Sequence, residues 1–268
     1  MEEQLTRLVD TVWEKYLQTP HDRRLLVAIG GIPGSGKTTL ATTLVTLLNA
    51  RHASSQASAP PTSSSSQEPT APLSSPSQGP QLAAYIPMDG YHLTRAQLSA
   101  MPDPATAHAR RGAEFTFDGE AFLELIKSLR GPDQGQTALV VKEGEDGVIY
   151  APSFDHSIKD PVPDSIPILP LPANKIVVVE GIYVLLDKEP WRTAAGMFDL
   201  KVFVKVDRET ARRRLVRRHV AAGIVRDEEE GDRRARENDL VNGDLIEELL
   251  LEVDVVVESR EDGGWVHS

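Results

Sequence analysis

Among the residues of this 268-residue sequence whose types and spacing could do chemistry, the most informative form the segment GIPGSGKT, from Gly31 to Thr38. It fits the pattern G-x-x-x-x-G-K-[ST], in which glycines let successive backbone N–H groups point at phosphate oxygens. In such a loop the lysine reaches the β- and γ-phosphates, and the threonine hydroxyl meets the magnesium ion that bridges them. The pattern predicts a site for ATP and Mg²⁺ formed by Gly31, Pro33, Gly34, Ser35, Gly36, Lys37, Thr38 and Thr39.

Two classes of nucleotide-binding protein fit the rest of the sequence poorly. A GTPase reads guanine with an N/T-K-x-D segment, whereas the Asn174-Lys175 pair continues into Ile176 and Val177 and supplies no Asp. A mechanochemical ATPase usually needs a longer chain to couple to its partners. A compact phosphotransferase therefore fits better.

The elements that must position the phosphate loop alternate along the chain. Short runs rich in β-branched residues predict strands buried on both faces, at 25–29, 83–86, 176–179, 200–206 and 253–257. Helical patterns lie between them, at 37–49, 119–130, 209–222 and 244–250. This alternation predicts an α/β fold of the P-loop NTPase type, with a mostly parallel five-stranded sheet flanked by helices.

Two segments interrupt this pattern within one predicted domain of residues 1–268. Residues 53–81 are dominated by Ser, Pro, Ala and Gln, so we predict a disordered insertion. Between residues 137 and 172 the segment ALVVKEGEDGVIY predicts a small hairpin excursion with its turn at Asp146-Gly147, followed by a Pro-rich return through DPVPDSIPILP.

Composition excludes further functions. The chain has no cysteine, which excludes disulfides, thiolate metal sites and a cysteine nucleophile. A formal charge of −11 argues against nucleic acid or an anionic membrane as a partner. The first residues are typical of an amphipathic helix rather than of a targeting peptide, and no apolar run approaches the roughly 20 residues that span a bilayer. We therefore predict a cytoplasmic protein.

Three blocks together resemble a known superfamily. They are the phosphate loop, YIPMDGYH at residues 85–92 and IVVVEGIY at residues 176–183. The combination is similar to the P-loop small-molecule kinases of the phosphoribulokinase, uridine kinase and pantothenate kinase superfamily. The segments RRGAEFTFD and PSFDH most resemble its fructose transport system kinase-like members, whose acceptor is uncharacterised.

The resemblance implies roles for two carboxylates that follow predicted strands. Asp89 matches the general base that accepts the proton of the acceptor hydroxyl, while Glu180 matches the carboxylate that binds magnesium together with Thr38. Asp89 could instead form a turn before Gly90, and Glu180 could be a solvated residue at a strand end. Thr94 is the better predicted cap of the next helix, which weakens the turn alternative for Asp89.

A basic helix in this acidic chain resembles the lid helix of these kinases, and we predict a lid region over residues 208–242. Its arginines would close over the phosphates, with Arg213 and Arg217 as the catalytic candidates beside Lys37. Alternatively, some of them form ion pairs with Glu209, Asp227 or Glu228. The basic residues of this helix are Arg208, Arg212, Arg213, Arg214, Arg217, Arg218 and His219.

Candidates for binding the acceptor come from several separated segments. An arginine pair, Arg110 and Arg111, could hold a carboxylate or a phosphate, or it could be structural. Phe115 and Phe117 are more typical of core residues. The predicted acceptor site is formed by Tyr91, His92, Arg111, Phe154, His156 and Asn242, with Arg110, Asn238 and Asp239 as further candidates.

These observations favour an ATP-dependent kinase that transfers the γ-phosphoryl group to a hydroxyl of a small metabolite. The alternative is a regulatory protein that binds and slowly hydrolyses ATP without such an acceptor. The predicted partners are a small-molecule acceptor, no nucleic acid and no membrane, and a homodimer is left open.

Overall fold

The computed structural model of the chain describes residues 2–57, 81–131 and 147–260. Its α-helices are, in chain order, α1 (Glu2–Gln18), α2 (Lys37–Ala57), α3 (Arg95–Ser99), α4 (Pro104–Ala109), α5 (Gly119–Arg130), α6 (Trp191–Ala195), α7 (Arg208–Ala221), α8 (Glu228–Arg234) and α9 (Leu240–Glu248). Its strands are β1 (Leu25–Gly31), β2 (Ala83–Pro87), β3 (Ile149–Asp155), β4 (Asp160–Ile168), β5 (Ile176–Glu180), β6 (Leu200–Val206) and β7 (Val255–Ser259). A π-helical turn at Ala235–Asp239 joins α8 to α9.

The predicted parallel sheet is confirmed. Its strands lie in the order β2-β5-β1-β6-β7, and every pairing between neighbours is parallel. Strand β1 is therefore central, between β5 and β6, and all of its residues are buried. Since the carboxyl ends of parallel strands meet at one edge of the sheet, the segments that follow β1, β2 and β5 lie together.

Apolar side chains cover both faces of the sheet, which explains why its strands are continuous hydrophobic runs. One face packs against α1 and α2 through residues such as Val12 and Leu44. The other face packs against α5, α6 and the β3–β4 hairpin through residues such as Phe122 and Trp191. Successive residues of β1 alternate between the two clusters, as the period of a strand requires.

Side chains cap the start of five helices in the described ranges, and three of these caps matter here. The Thr94 hydroxyl accepts from the backbone N–H of Gln97 in a complete capping box at α3, which confirms the predicted cap. The Asp118 side chain accepts from Ala121 N at the start of α5. Asp207 caps α7, the basic helix that follows β6.

A two-stranded hairpin lies beside the sheet. Strands β3 and β4 pair antiparallel, and their turn lies at residues 156–159. The first strand of the predicted hairpin and Asp146 of its turn lie outside the described residues. The Pro-rich segment predicted as a return loop is β4 itself. Prolines are tolerated there because, in a two-stranded ladder, each strand has one side without ladder hydrogen bonds. Residues 137–146 lie outside the described residues.

Other boundaries differ less. Helix α2 continues to Ala57, five residues into the predicted insertion, and the hydroxyls of Ser54 and Ser55 there donate to carbonyls one turn earlier. Residues 58–80 of that insertion lie outside the described residues. Phe117 is buried as predicted, but Phe115 is 47% exposed because a turn of 3-10 helix at Glu114–Thr116 directs it outward. No helix of the described ranges combines the length and hydrophobicity needed to cross a bilayer.

Candidate active site

Three chain segments converge at the carboxyl edge of the sheet. Strand β5 ends at Glu180, which lies in register with Ile29 of β1 on one side and with Pro87 of β2 on the other. The phosphate loop follows β1, and Asp89 lies two residues beyond the end of β2. The candidate phosphate, metal and base residues thus come from three adjacent strands.

The phosphate loop has the backbone shape that its glycines predict. Gly34 and Gly36 have φ values of +81° and +90°, in the left-handed region that favours glycine. A Cβ at Gly34 would lie 2.8 Å from the carbonyl oxygen of Ala211, so the loop sits directly against α7. Ser35 is fully buried, and its Oγ has no hydrogen-bond partner within the described residues. The loop therefore forms a cradle in which a buried hydroxyl is left for a ligand.

Glu180 is the centre of a buried polar cluster. Its Oε2 accepts hydrogen bonds from the Thr38 hydroxyl at 3.1 Å and from the Tyr85 hydroxyl at 3.0 Å. Its Oε1 lies 3.6 Å from Nζ of Lys37, and both of these side chains are almost completely shielded from solvent. The cluster joins the first turn of α2 to β2 and β5.

Burial raises the pKa of the Glu180 carboxyl above its usual range. Lys37, Tyr85 and Thr38 oppose this shift, while the nearby negative charge of Asp89 adds to it. Burial also raises the pKa of the Tyr85 phenol, and the charge of Glu180 raises it further. The negative charges of Asp89 and Glu180 therefore repel each other, and a cation bound between them would reduce this repulsion.

The oxygen donors of this cluster fit a magnesium ion that keeps most of its ligands from phosphates and water. Mg²⁺ prefers hard oxygen ligands and typically takes only one or two from protein carboxylates. The Thr38 hydroxyl and the Glu180 carboxylate supply such donors within 3.1 Å of each other. The described ranges contain no group of three or more His, Asp and Glu residues that would form an all-protein metal cage.

The Asp89 carboxylate is exposed at this edge. Within the described residues it makes no hydrogen bond or ion pair, although it is close enough to raise the pKa of Glu180. Its backbone oxygen accepts from the backbone N–H of His92 at 3.1 Å. The next residue, Gly90, lies so close to β3 that a Cβ there would be 2.1 Å from the carbonyl oxygen of Pro152. The hairpin therefore packs directly on the turn that carries Asp89.

A row of rings extends from this turn along the hairpin. The His92 ring lies 4.0 Å from the ring centre of Phe117 and 5.0 Å from that of Phe154, which lies 5.1 Å from that of His156. Burial lowers the pKa of His92, which favours its neutral form. Tyr91 points the other way, into the core. The structure thus brings together three of the predicted acceptor residues, His92, Phe154 and His156.

Both arginines of the predicted pair form hydrogen bonds with other parts of the protein. The Arg111 guanidinium donates to the carbonyl oxygens of Leu93 and Lys159 and pairs with Asp160 at 3.1 Å. Arg110 donates to the carbonyl oxygen of Glu237 and to the side-chain oxygen of Asn242, each at 2.9 Å.

These bonds tie the hairpin and the segment around Asn242 to the loop that precedes α5. Asn238 takes part by donating to the carbonyl oxygen of Arg111 at 3.1 Å. Asp239 instead accepts a hydrogen bond from Nε2 of the buried His219 ring of α7 at 2.8 Å.

The arginines of α7 have different surroundings. Arg213 donates to Thr210 and lies 3.9 Å from Glu209, whereas Arg217 is exposed and has no ion pair within the described residues. Arg214, which the sequence did not single out, contacts the phosphate loop, because its guanidinium donates to the carbonyl oxygen of Gly34 at 3.3 Å. Arg212 pairs with acidic residues, as the alternative interpretation expected.

Sequence reasoning missed Tyr85 as part of the site, and it did not distinguish Arg214 from the other arginines of the basic helix. The signal for Tyr85 is its hydroxyl in an otherwise apolar strand, four residues before Asp89. Arg214 is three residues from Ala211, the residue of α7 that packs against Gly34. The sequence does not reveal either contact, because the partners of Tyr85 and Arg214 lie far away in the chain.

Curated relatives of the chain carry kinase names. The ATP-dependent kinase-like protein notR′ of Aspergillus versicolor is 49% identical over 178 residues, which cover 66% of this chain and 95% of the relative. A protein of Schizosaccharomyces pombe named as a candidate uridine kinase is 34% identical over 238 residues, covering 89% of this chain and 84% of the relative. No family model matches the chain.

Two solved structures with the same architecture also carry kinase names. YFH7 of Saccharomyces cerevisiae, described as a candidate P-loop kinase, superposes with a TM-score of 0.75 at 26% identity, over 96% of this chain and 99% of that one. A candidate fructose transport system kinase from a Silicibacter species gives a TM-score of 0.70 at 27% identity, over 94% of this chain and 98% of that one. The resemblance predicted from the three sequence blocks is therefore confirmed.

Proposed function

This chain belongs to the family of ATP-dependent P-loop kinases that includes the uridine kinase-like protein of fission yeast and YFH7, and we propose that it phosphorylates a hydroxyl of a small metabolite. The observation that carries the proposal is the convergence, on three adjacent strand ends, of the phosphate loop, the Glu180 cluster and an unpaired Asp89 carboxylate. A protein that only bound ATP would need the first two but not the third.

The proposed reaction moves one phosphoryl group and one proton. The acceptor oxygen forms a bond to the γ-phosphorus while the bond to the β,γ-bridging oxygen breaks, and ADP leaves. Asp89 accepts the proton of the attacking hydroxyl. Its carboxylate is exposed and makes no hydrogen bond or ion pair within the described residues, which supports this role. Lys37 neutralises charge on the β- and γ-phosphates.

Magnesium is part of the proposal. Thr38 and Glu180 would hold it, and when bound it neutralises charge on the phosphate oxygens. We assign residues 208–242 as the lid. Arg213 and Arg217 are the proposed contacts to the transferred group, and the packing of α7 against Gly34 supports their proximity to the phosphates.

We infer that the acceptor is uncharged near the hairpin. The two arginines that could bind an anion there already donate to carbonyl oxygens, to Asn242 and to Asp160, and His92 favours its neutral form. An anionic acceptor would have to compete with these protein acceptors for the same guanidinium groups. The rings of His92 and Phe154 offer an apolar surface instead.

The test is an ATP-consumption screen with acceptors in matched pairs that differ in charge, such as a nucleoside and its monophosphate or a polyol and its phosphate ester. The blank is the Asp89→Asn protein. We expect consumption that depends on Asp89 and is at least tenfold faster for the neutral member of a pair. Slow hydrolysis that no acceptor stimulates and that Asp89→Asn leaves unchanged would support the regulatory alternative.

A further inference from the structure

The Tyr85 hydroxyl is a buried donor to which the proposed reaction gives no role. It donates to Oε2 of Glu180 at 3.0 Å from strand β2, whereas the other donor to that oxygen, Thr38, belongs to α2. The tyrosine lies in register with Val178, two residues before Glu180 on β5, so its side chain extends along the strand direction to reach the carboxylate. Its ring packs against the cluster between the sheet and α2.

The two hydrogen bonds determine which carboxylate oxygen stays available. A carboxylate oxygen has about two lone-pair sites, and on Oε2 both are taken, by Thr38 and Tyr85. Oε1 accepts no hydrogen bond within the described residues, and Nζ of Lys37 lies 3.6 Å from it, which is too long for one. The carboxylate is thereby held in one orientation, with Oε1 turned toward the lysine that serves the phosphates.

We propose that Tyr85 is a positioning residue for the metal site: by anchoring Oε2 of Glu180 to strand β2, it presents Oε1 to magnesium. This inference rests on the proposed function, because it requires Glu180 to bind the metal. Groups that orient a metal ligand in this way typically contribute 10- to 100-fold to metal affinity.

The experiment compares Tyr85→Phe with the unmodified protein by calorimetric titration of ADP, first in EDTA and then at increasing Mg²⁺. Phe keeps the ring and removes only the hydroxyl, so the fold is expected to persist, and thermal unfolding checks this. We expect ADP affinity in EDTA to stay within about twofold, since Tyr85 is not a proposed nucleotide ligand. The Mg²⁺ concentration that half-saturates the gain in affinity should rise about 10- to 100-fold.

Tyr183→Phe is the matched control. It removes another buried tyrosine hydroxyl, which donates at 2.8 Å to the carbonyl oxygen of Gly112 and responds to charges other than Glu180. Its Mg²⁺ requirement should equal that of the unmodified protein. If Tyr85→Phe and Tyr183→Phe have the same Mg²⁺ requirement, or if Tyr85→Phe weakens ADP binding equally with and without Mg²⁺, the positioning role is refuted.

Glu180→Gln separates this inference from the function on which it rests. If Glu180→Gln alters the Mg²⁺ requirement and Tyr85→Phe does not, only the role of Tyr85 fails. If Glu180→Gln leaves the requirement unchanged, the metal role of Glu180 fails, and that of Tyr85 fails with it. In the Glu180→Gln protein, adding Tyr85→Phe should produce no further change, because a residue that acts through Glu180 has nothing left to position.

Discussion

Replacing Asp89 by Asn distinguishes a catalytic carboxylate from a turn-forming one. The side chain is exposed and makes no hydrogen bond or ion pair within the described residues, so Asn loses no internal contact. Asn is also favoured in turns. The free energy of unfolding should therefore change by no more than about 0.5 kcal/mol. The variant also removes a negative charge that raises the pKa of Glu180, so binding of Mg²⁺ and nucleotide should not weaken.

The rate of phosphoryl transfer, in contrast, should fall strongly in the Asp89→Asn protein. Loss of a general base lowers the rate about 10²- to 10⁴-fold, which corresponds to about 3–5 kcal/mol in the activation free energy. The assay is ADP release coupled to a reporter enzyme, with the acceptor that the screen identifies, alongside calorimetric binding of ATP and thermal unfolding. A kcat within threefold of the unmodified protein would refute the base assignment. A loss of stability that matched the loss of activity would point to the turn role instead.

Three further variants test other parts of the site. Lys37→Ala should weaken ATP binding about 10- to 100-fold and slow transfer as well, because charge-assisted bonds to phosphate contribute about 1.5–3 kcal/mol; calorimetry that finds unchanged affinity would contradict this. Gly90→Ala should lower the free energy of unfolding by about 1–3 kcal/mol in denaturant titrations, since its Cβ would overlap the Pro152 carbonyl, whereas Gly196→Ala, with no atom closer than 3.5 Å, should not. His92→Gln should reduce the loss of thermal stability between pH 7.5 and 5.5. Burial lowers the pKa of His92, so its contribution is complete above about pH 6.5 and falls as the pH drops toward the folded pKa; an unreduced loss would refute the argument.

Local patterns were enough for the phosphate loop and the strands. The glycine spacing of residues 31–36 is a property of consecutive residues, and the positive φ values of Gly34 and Gly36 follow from it. The β-branched runs predicted the five strands and their parallel pairing, with errors of at most two residues at the ends. Strand β4 was predicted as a return loop because its prolines are atypical of a strand, although a two-stranded hairpin tolerates them.

The arginines show the limit of such reasoning. Two adjacent arginines in a sequence are equally consistent with an anion-binding site and with hydrogen bonds that hold the fold together. Which of the two applies depends on the groups that surround them in the structure. Here Arg111 meets Asp160, 49 positions away, and Arg110 meets Asn242, 132 positions away. The same holds for α7, where the helix pattern predicted an exposed basic face but not that Arg214 would reach Gly34.

By itself, the sequence determined that this chain has a phosphate loop between a buried strand and a helix, and that two carboxylates follow neighbouring strands of a parallel sheet. These features depend on residues close together in the chain, whose backbone preferences and periodicity are local. Only the tertiary structure decided which donors hold Glu180, which arginines are already paired and where the hairpin packs. The Thr38–Glu180 bond joins residues 142 positions apart, and the Arg214–Gly34 bond joins residues 180 positions apart. Such contacts exist only once strand order and packing bring the segments together.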